Sequence, residues 1–466
     1  MTNEFLGKRI GVVGLAATGL ATARVLASLG AKVILYDRKP AGDLPADRVR
    51  DAGDLDGVQL ALGGSDDEWD ALDLLVPSPG VPRNAPIITH AVARGVPVSG
   101  EIEIAYHLAK APILAITGTN GKTTTTALLG AICRTAGLQT WVAGNIAEDA
   151  GVRAPLIEAA IHAPEDGVIV AEISSFQLEW VQEFRPKVGA WLNMANDHFD
   201  RYSGMDDYAR AKANLFRAQT ADDFAVYNWD DPIVSDGITQ AAVRARRVPF
   251  SLESRQAYGA YEAGGDLFLA LPDELHLLPA REIRLPGKHN VANVLAAAAM
   301  ARLIGIDIGS IRTAVRQFTG VAHRMEYIGS RDGVRFVNNS MCTNPAAVWA
   351  SLEAVEGPTI AIVGGKHKGG DLTGLIDALR RYARHVVLIG ASAREIGGML
   401  TAAGTPPTFE YAETLPTAVE RAAARAETGD TVLLVPGCAS FDMFCGFEHR
   451  GQVFRDAAHE LGARIL

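Results

Sequence analysis

Cysteine is scarce. The chain of 466 residues has four, at Cys133, Cys342, Cys438 and Cys445, and no two of them form a CxxC pair. That excludes a disulfide scaffold and reads most simply as a reducing, cytoplasmic setting. Positive charge is also in deficit. Forty-four Lys and Arg stand against 54 Asp and Glu, for a formal charge of −10. This removes the general electrostatic case for binding nucleic acid or an anionic membrane, and leaves room only for a local basic pocket. No apolar run is long enough to be a good membrane span. Val291–Ile306 comes nearest to mind, but Asn293 and Arg302 interrupt it. Lys8 and Arg9 before an apolar run imitate a secretion signal, yet the run continues as strand, turn, helix and strand up to Asp37. Short-period repeats and low-complexity linkers are missing too. What is present is ordinary for a soluble globular chain, with 48% hydrophobic and 21% charged residues. The length suggests two to four domains.

The pattern reads as three α/β segments, 1–109, 110–321 and 322–466. The first opens with RIGVVGLAATGLATARVLASLGAKVILYD, a βαβ unit in which an apolar run, a glycine turn, an amphipathic helix and a second apolar run follow one another. Further strands are expected at Leu72–Val76 and Val96–Ser99. The second segment restarts sharply with APILAITGTNGKTTTTALLGAICRTAG, again strand, loop and helix. The buried-type strand DGVIVAEIS and the run VGAWLNM follow, and the helix HNVANVLAAAAMARLIG and one more close the segment. The third alternates strands at Val334–Val337, Thr359–Val363, His385–Ile389 and Thr431–Val435 with helical stretches, a doubly wound pattern.

GTNGKT, Gly118–Thr123, is the strongest local motif. Between a strand and a helix, backbone N–H groups and the helix N-terminus face an anion, Lys122 adds a point charge, and a hydroxyl can hold Mg²⁺. Two residues separate its glycines, where the standard phosphate loop has four. GLAATG, Gly14–Gly19, is weaker as a dinucleotide fingerprint because Ala16 replaces the middle glycine, and it disfavours NAD. PSPGVP, Pro77–Pro82, is a rigid loop after a strand. AEISSFQLE places Glu172 at a buried strand end, where an acid needs a cation or metal. After the next strand come Asn193, Asn196, Asp197, His198 and Asp200; with Glu172, His198 makes a modest Mg²⁺ set beside a nucleotide. Lys212, on a helix of surface-like polar groups, reads as a solvated side chain. Arg324 falls on the second boundary. GGKHKGGD and PGCASFDMFCGFEHRG both follow strands, where open α/β sheets bind ligands. Cys438 and Cys445 there, and Cys342 earlier, read as small packing residues.

Taken in order, GTNGKT, EISSFQLE, NDHFDRY, AKANLF, LPGKHNVAN, HRME, GGKHKGGD and the CASFD and FEHRG pieces resemble the Mur ligases, ATP-dependent amide-bond enzymes of peptidoglycan synthesis. The resemblance covers essentially the whole chain, and SSFQLE is similar to the glutamate-adding branch. It implies three domains: a Rossmann-like UDP-binding domain, a P-loop-type ATPase domain and a Rossmann-like C-terminal domain. It implies a UDP end held by Ala17, Thr18, Asp37, Arg38, Ser78, Pro79, Gly80 and Asn145. ATP would be held by Gly118, Thr119, Asn120, Gly121, Lys122, Thr123, Thr124, Asn290, Arg324 and Asn339. Magnesium would sit at Thr123, Glu172 and His198, and at Lys212 if that residue is carbamylated. Lys212 matches a lysine that is carbamylated in the family, so a carbamate is implied there. Lys122, Glu172, His198 and Lys212 would be the catalytic set. Thr343, Lys368, Ser440, Phe441 and Phe447 would line the amino-acid site. The implied substrates are UDP-N-acetylmuramoyl-L-alanine, glutamate and ATP, on a monomer in the cytoplasm.

VNNSMCTN, Val337–Asn344, departs from the family pattern, in which an acid and a lysine are usual where Asn339 and Met341 stand here. The lysine would be expected to face the glutamate carboxylate. Either Lys366 or Lys368 takes over, or the amino acid binds differently, as in variants that add L-glutamate. Two other readings stand beside these. A folylpolyglutamate-synthase-like ligase would lack the UDP-type first segment. A P-loop nucleotide-binding protein without ligase chemistry would lack the pocket residues of the third.

Overall fold

The computed structural model describes residues 4–64, 71–144, 154–198, 201–285, 287–343, 345–355, 357–367, 371–404 and 407–465. Asn145 and Lys368 lie outside the described residues, as do Asp200 and Asn344. The chain divides into two units, Met1–Phe318 and Thr319–Leu466.

The first unit holds two sheets. One has four parallel strands in the order Val58–Leu62, Lys32–Asp37, Arg9–Val13, Leu74–Pro77. Helix Ala17–Ser28 crosses between the first two in sequence. Gly19 allows that crossing to be tight, because a Cβ there would lie 1.8 Å from the carbonyl oxygen of Gly14. Val96–Ser99 does not form the strand expected of it. It makes one bridge, Leu75 with Val98, because Pro97 has no N–H to extend a ladder.

The second sheet has nine strands. Ile113–Thr117 is flanked by Val188–Trp191 and Val168–Glu172, and Thr140–Gly144 forms one edge beyond the latter. These strands read as unbroken apolar runs because helices cover both faces. The other edge continues through Phe224–Asn228 and Arg246–Ser251 into an antiparallel meander, Gly259–Ala263, Asp266–Ala270 and Glu274–Pro279, which the sequence reading did not contain.

The two sheets share one core, which runs from Ile10, Val12 and Leu35 through Ile102 and Ala105 to Ile169 and Phe184. Helix Glu101–Leu108 is the joint. The Glu103 carboxylate accepts the N–H groups of Gln182, Glu183 and Phe184 at 3.0, 2.6 and 3.0 Å. Glu101 accepts Ile157 N–H at 2.7 Å.

The second unit is a six-stranded sheet in the order Glu326–Arg331, Val334–Asn338, Thr431–Leu434, Thr359–Gly364, Ala383–Ile389, Thr408–Tyr411. The first pair is an antiparallel hairpin and the rest is parallel. Asp332 and Gly333 turn the hairpin with φ of 52° and 78°, the two left-handed residues that a tight I′ turn demands. Helices on each face close two cores, one around Val363 and Leu388 and the other around Ile362 and Phe454.

Candidate active site

The loop Gly118–Gly121 is shaped by its glycines. Gly121 caps the helix Lys122–Thr135 in the left-handed conformation, and a Cβ there would come within 2.4 Å of Asn293 Oδ1. Asn193, at the end of the neighbouring strand, holds the loop from the side. Its Oδ1 accepts Asn120 N–H at 2.8 Å, and its Nδ2 donates to Asn120 O at 3.1 Å. Thr123 is buried in the first helical turn and Thr124 is half-buried. Lys122 folds back and donates to the carbonyls of Gly118 and Thr119 at 2.9 and 2.8 Å. An open helix N-terminus with a lysine over its loop is an anion cradle.

Lys212 arrives at the same place. Far from being a solvated side chain, it is 1% exposed, because its helix Met205–Ala213 turns this residue under the phosphate loop. Its Nζ donates to Gly118 O at 2.8 Å, so two lysine amines meet one carbonyl. Burial first, then the Lys122 charge, holds the Lys212 ammonium well below the ordinary lysine range, while Asp197 and Glu172 pull the other way. The Tyr208 ring lies 4.6 Å below the amine.

Glu172 is 3% exposed, in register with Ile116 of the strand that feeds the loop. His198 has a φ of 55°, a left-handed turn that carries its ring onto Phe176 at 4.7 Å. Its Nε2 lies 3.4 Å from Asp197 Oδ2. A carboxylate, a hydroxyl at Thr123 and one imidazole beside a phosphate cradle suit Mg²⁺, which keeps several waters and shares phosphate oxygens. Among the described residues no group of three or more His, Cys, Asp or Glu gathers as a closed metal cage.

On the first sheet, Asp37 ends its strand and accepts Leu15 N–H through Oδ2 at 2.9 Å, which braces the glycine turn. Ala17 is exposed at the helix start, Thr18 is half-buried, and Arg38 is exposed. Ser78 and Pro79 are half-buried and Gly80 is exposed. Ser78 Oγ donates to Gly14 O at 3.4 Å, which ties this loop to the glycine turn.

A cavity of about 540 Å³ opens beside the phosphate loop, lined by Asn193, Phe250, Leu252, His289, Val291 and Asn293 among others. Asn290 accepts from Asn293 Nδ2 at 3.1 Å at its edge. His289 and Asn293 were not singled out from the sequence. Both lie in LPGKHNVAN, where a Pro-Gly pair before an apolar run marks a helix start, Lys288 in the structure.

In the second unit the stretch after Val334–Asn338 is inward-facing. Asn338, Asn339 and Ser340 are all buried. Asn339 Oδ1 accepts Met325 N–H at 3.2 Å, and its Nδ2 donates to Ser351 Oγ at 2.8 Å, so its amide is engaged within the fold. Cys342 is buried and its thiol is pushed up to about 11 by desolvation, which suits packing rather than nucleophilic attack. Arg450, 0% exposed, joins the ligand-end loops. It donates to Ser340 Oγ, Ser340 O and Cys438 O at 3.0, 2.8 and 3.0 Å. Ser440 is 1% exposed, and its Oγ has no hydrogen-bond partner among the described residues. Thr343 and Phe447 are half-buried, Phe441 is 68% exposed, and Arg324 and Lys366 are exposed. Cys438 is buried as expected. Cys445 is exposed, because it sits in the turn just before the helix Phe447–Glu460.

Comparison with known proteins agrees with this architecture. Residues 8–100 match the MurD-like N-terminal domain of Mur ligases, 116–301 the Mur ligase middle domain, and 323–438 the Mur ligase glutamate ligase domain. A UDP-N-acetylmuramoylalanine–D-glutamate ligase from Pelotomaculum thermopropionicum is 42% identical over 98% of both chains. One from Caldanaerobacter subterraneus is 41% identical over 98% of this chain and 99% of its own. The solved UDP-N-acetylmuramate–alanine ligase of Thermotoga maritima shares the fold, with a TM-score of 0.52 at 19% identity, over 97% of this chain and 100% of its own. The chain belongs to the Mur ligase family, whose members are ATP-dependent ligases that form amide bonds.

Proposed function

We propose that this ligase joins glutamate to UDP-N-acetylmuramoyl-L-alanine, a step in making peptidoglycan precursors, with D-glutamate as the acceptor. The observation that carries the reading is the convergence of Lys122 and Lys212 on the phosphate loop beside Glu172 and His198. The names of relatives at about 40% identity over nearly the whole chain support the substrate.

The alanyl carboxylate attacks the γ-phosphorus of ATP, and ADP leaves. The amine of glutamate then attacks the acyl phosphate, phosphate leaves, and an amide remains. The loop N–H groups and Lys122 stabilise charge that spreads over the transferred phosphoryl group. Thr123, Glu172 and His198 would hold Mg²⁺, which supplies Lewis-acid stabilisation of phosphate oxygens when bound. Burial and the Lys122 charge favour the neutral form of the Lys212 amine, which is the form that adds carbon dioxide with release of a proton. The carbamate would turn a repelled cation into an anion.

In this reading residues 1–109 take the UDP end, through Ala17, Thr18, Asp37, Arg38, Ser78, Pro79, Gly80 and Asn145. Residues 110–321 take ATP at Gly118–Thr124 and Asn290, and the cavity over His289 and Asn293 takes its base. Residues 322–466 add Arg324 to the nucleotide set; Asn339, expected in it, falls out because its amide is engaged by Met325 N–H and Ser351 Oγ. Thr343, Lys368, Ser440, Phe441 and Phe447 would serve the amino acid, and the Ser440 hydroxyl, which has no hydrogen-bond partner among the described residues, supports an acceptor pocket there. In this reading the enzyme works as a cytoplasmic monomer.

Phosphate release from ATP by the purified protein tests the proposal. It should require both UDP-N-acetylmuramoyl-L-alanine and glutamate. Release with neither, or only with folates, sinks it. Running D- and L-glutamate side by side decides the stereoisomer, a choice that Met341 makes worth testing because it leaves no cation at that position.

A further inference from the structure

Arg201 follows His198 by three residues and takes no part in the roles assigned above. Its side chain is only 11% exposed. Nε and Nη2 donate to the two oxygens of Glu179 at 2.9 and 2.6 Å, and the Tyr202 hydroxyl adds a third bond to that carboxylate at 2.8 Å. The rest of the fork crosses to the first sheet. Nη1 donates to Pro79 O and Nη2 to Val81 O, each at 3.1 Å. The guanidinium lies 4.4 Å from the centroid of Phe176, and Phe176 packs on the His198 ring at 4.7 Å. Arg201 N–H also donates to His198 O at 3.0 Å.

One planar group therefore grips the loop after strand Leu74–Pro77 and packs on Phe176, which touches the His198 ring. Two carbonyls in a loop rich in proline offer no charge to attract a cation. Glu179 supplies the charge, itself 2% exposed, and fixes the plane of the fork. A shift of the loop would break the bonds to Pro79 O and Val81 O and so release the guanidinium that packs on Phe176, against which the His198 ring lies. We propose that Arg201 is a positioning residue that sets the 78–81 loop and the His198 imidazole in one frame, so that filling the UDP end favours the metal–phosphate side and the reverse. This rests on the proposed assignment of those two regions to the UDP substrate and to Mg²⁺ with ATP.

The test is titration calorimetry of UDP-N-acetylmuramoyl-L-alanine into the full-length protein, with and without Mg²⁺ plus a non-hydrolysable ATP analogue. Wild type should bind the UDP substrate roughly tenfold more tightly when the analogue is present, since coupling between sites is reciprocal. R201K keeps the charge but loses the fork. It should bring that ratio close to one in a protein that still unfolds in a cooperative transition, at a lower melting temperature. A ratio of one in wild type, or an undiminished ratio in folded R201K, overturns the proposal. Should R201K fail to fold, Glu179→Gln serves instead, because it weakens the grip on the guanidinium while keeping its shape; a full ratio there overturns the proposal equally. Wild type that binds no UDP substrate under either condition is a different result, and it removes the functional reading itself.

Discussion

Lys212 is the residue whose environment says most. A buried amine beside another cation is costly in its charged form. Substituting Lys212 by alanine should abolish turnover, and short carboxylates such as acetate or propionate should restore part of it by standing in for the missing anion. Lys122→Ala should abolish turnover without such rescue, since a carboxylate cannot replace a cation over the loop. Phosphate release measured with and without added carboxylate checks both. Full activity of the Lys212 variant, or equal rescue of the two, would contradict the assigned roles. Sequence chemistry alone made Lys212 a surface lysine; only the family resemblance raised another role. Its burial depends on how the helix Met205–Ala213 is rotated against the phosphate loop, a tertiary fact that a local window does not contain. The phosphate loop itself was legible, because glycine, lysine and threonine at a strand–helix junction are demanded by local geometry.

At the scale of an element, the joint helix Glu101–Leu108 carries its own signature. Glu101 is raised from 4.5 to about 7, chiefly by desolvation, against the bond from Ile157 N–H. An acid with a raised folded value holds its proton in the folded state when the unfolded chain has released it. Stability should therefore fall as pH rises from about 4.5 to about 7 and stay flat above, as far as this group decides it. Glu101→Gln keeps the acceptor for Ile157 and should flatten that slope. Melting temperature against pH for the two proteins tests this, and parallel curves would refute it. The elements themselves were unevenly readable. Buried strands such as Ile113–Thr117 announced themselves by apolar runs. The meander Gly259–Pro279 did not, because polar turn tips interrupt its short strands. The Asp332–Gly333 hairpin carried a usable signal that went unread.

For the whole molecule, the distribution of cores decides what can stand alone. The core of the first sheet is continuous with that of the second, and both cores of the last unit are built from residues within 325–463. A fragment of residues 319–466 should unfold in one cooperative urea transition. A fragment of residues 1–109 should not, because it would expose Ile102, Ile104 and Ala105 together with the sheet face they cover. Circular dichroism on the two fragments distinguishes them, and a sharp transition in the shorter one would refute this account.

The carbonyl of Gly118, shared by two lysines, has a consequence that reaches past the protein surface. In the proposed reading, a side chain that becomes an anion by adding carbon dioxide and releasing a proton would tie the competence of the loop to a dissolved gas. With the proposed carbamate in place, enzyme kept in degassed buffer should start slowly and recover on adding bicarbonate, over the time the adduct takes to re-form. The atmosphere above the sample then becomes a variable of the assay.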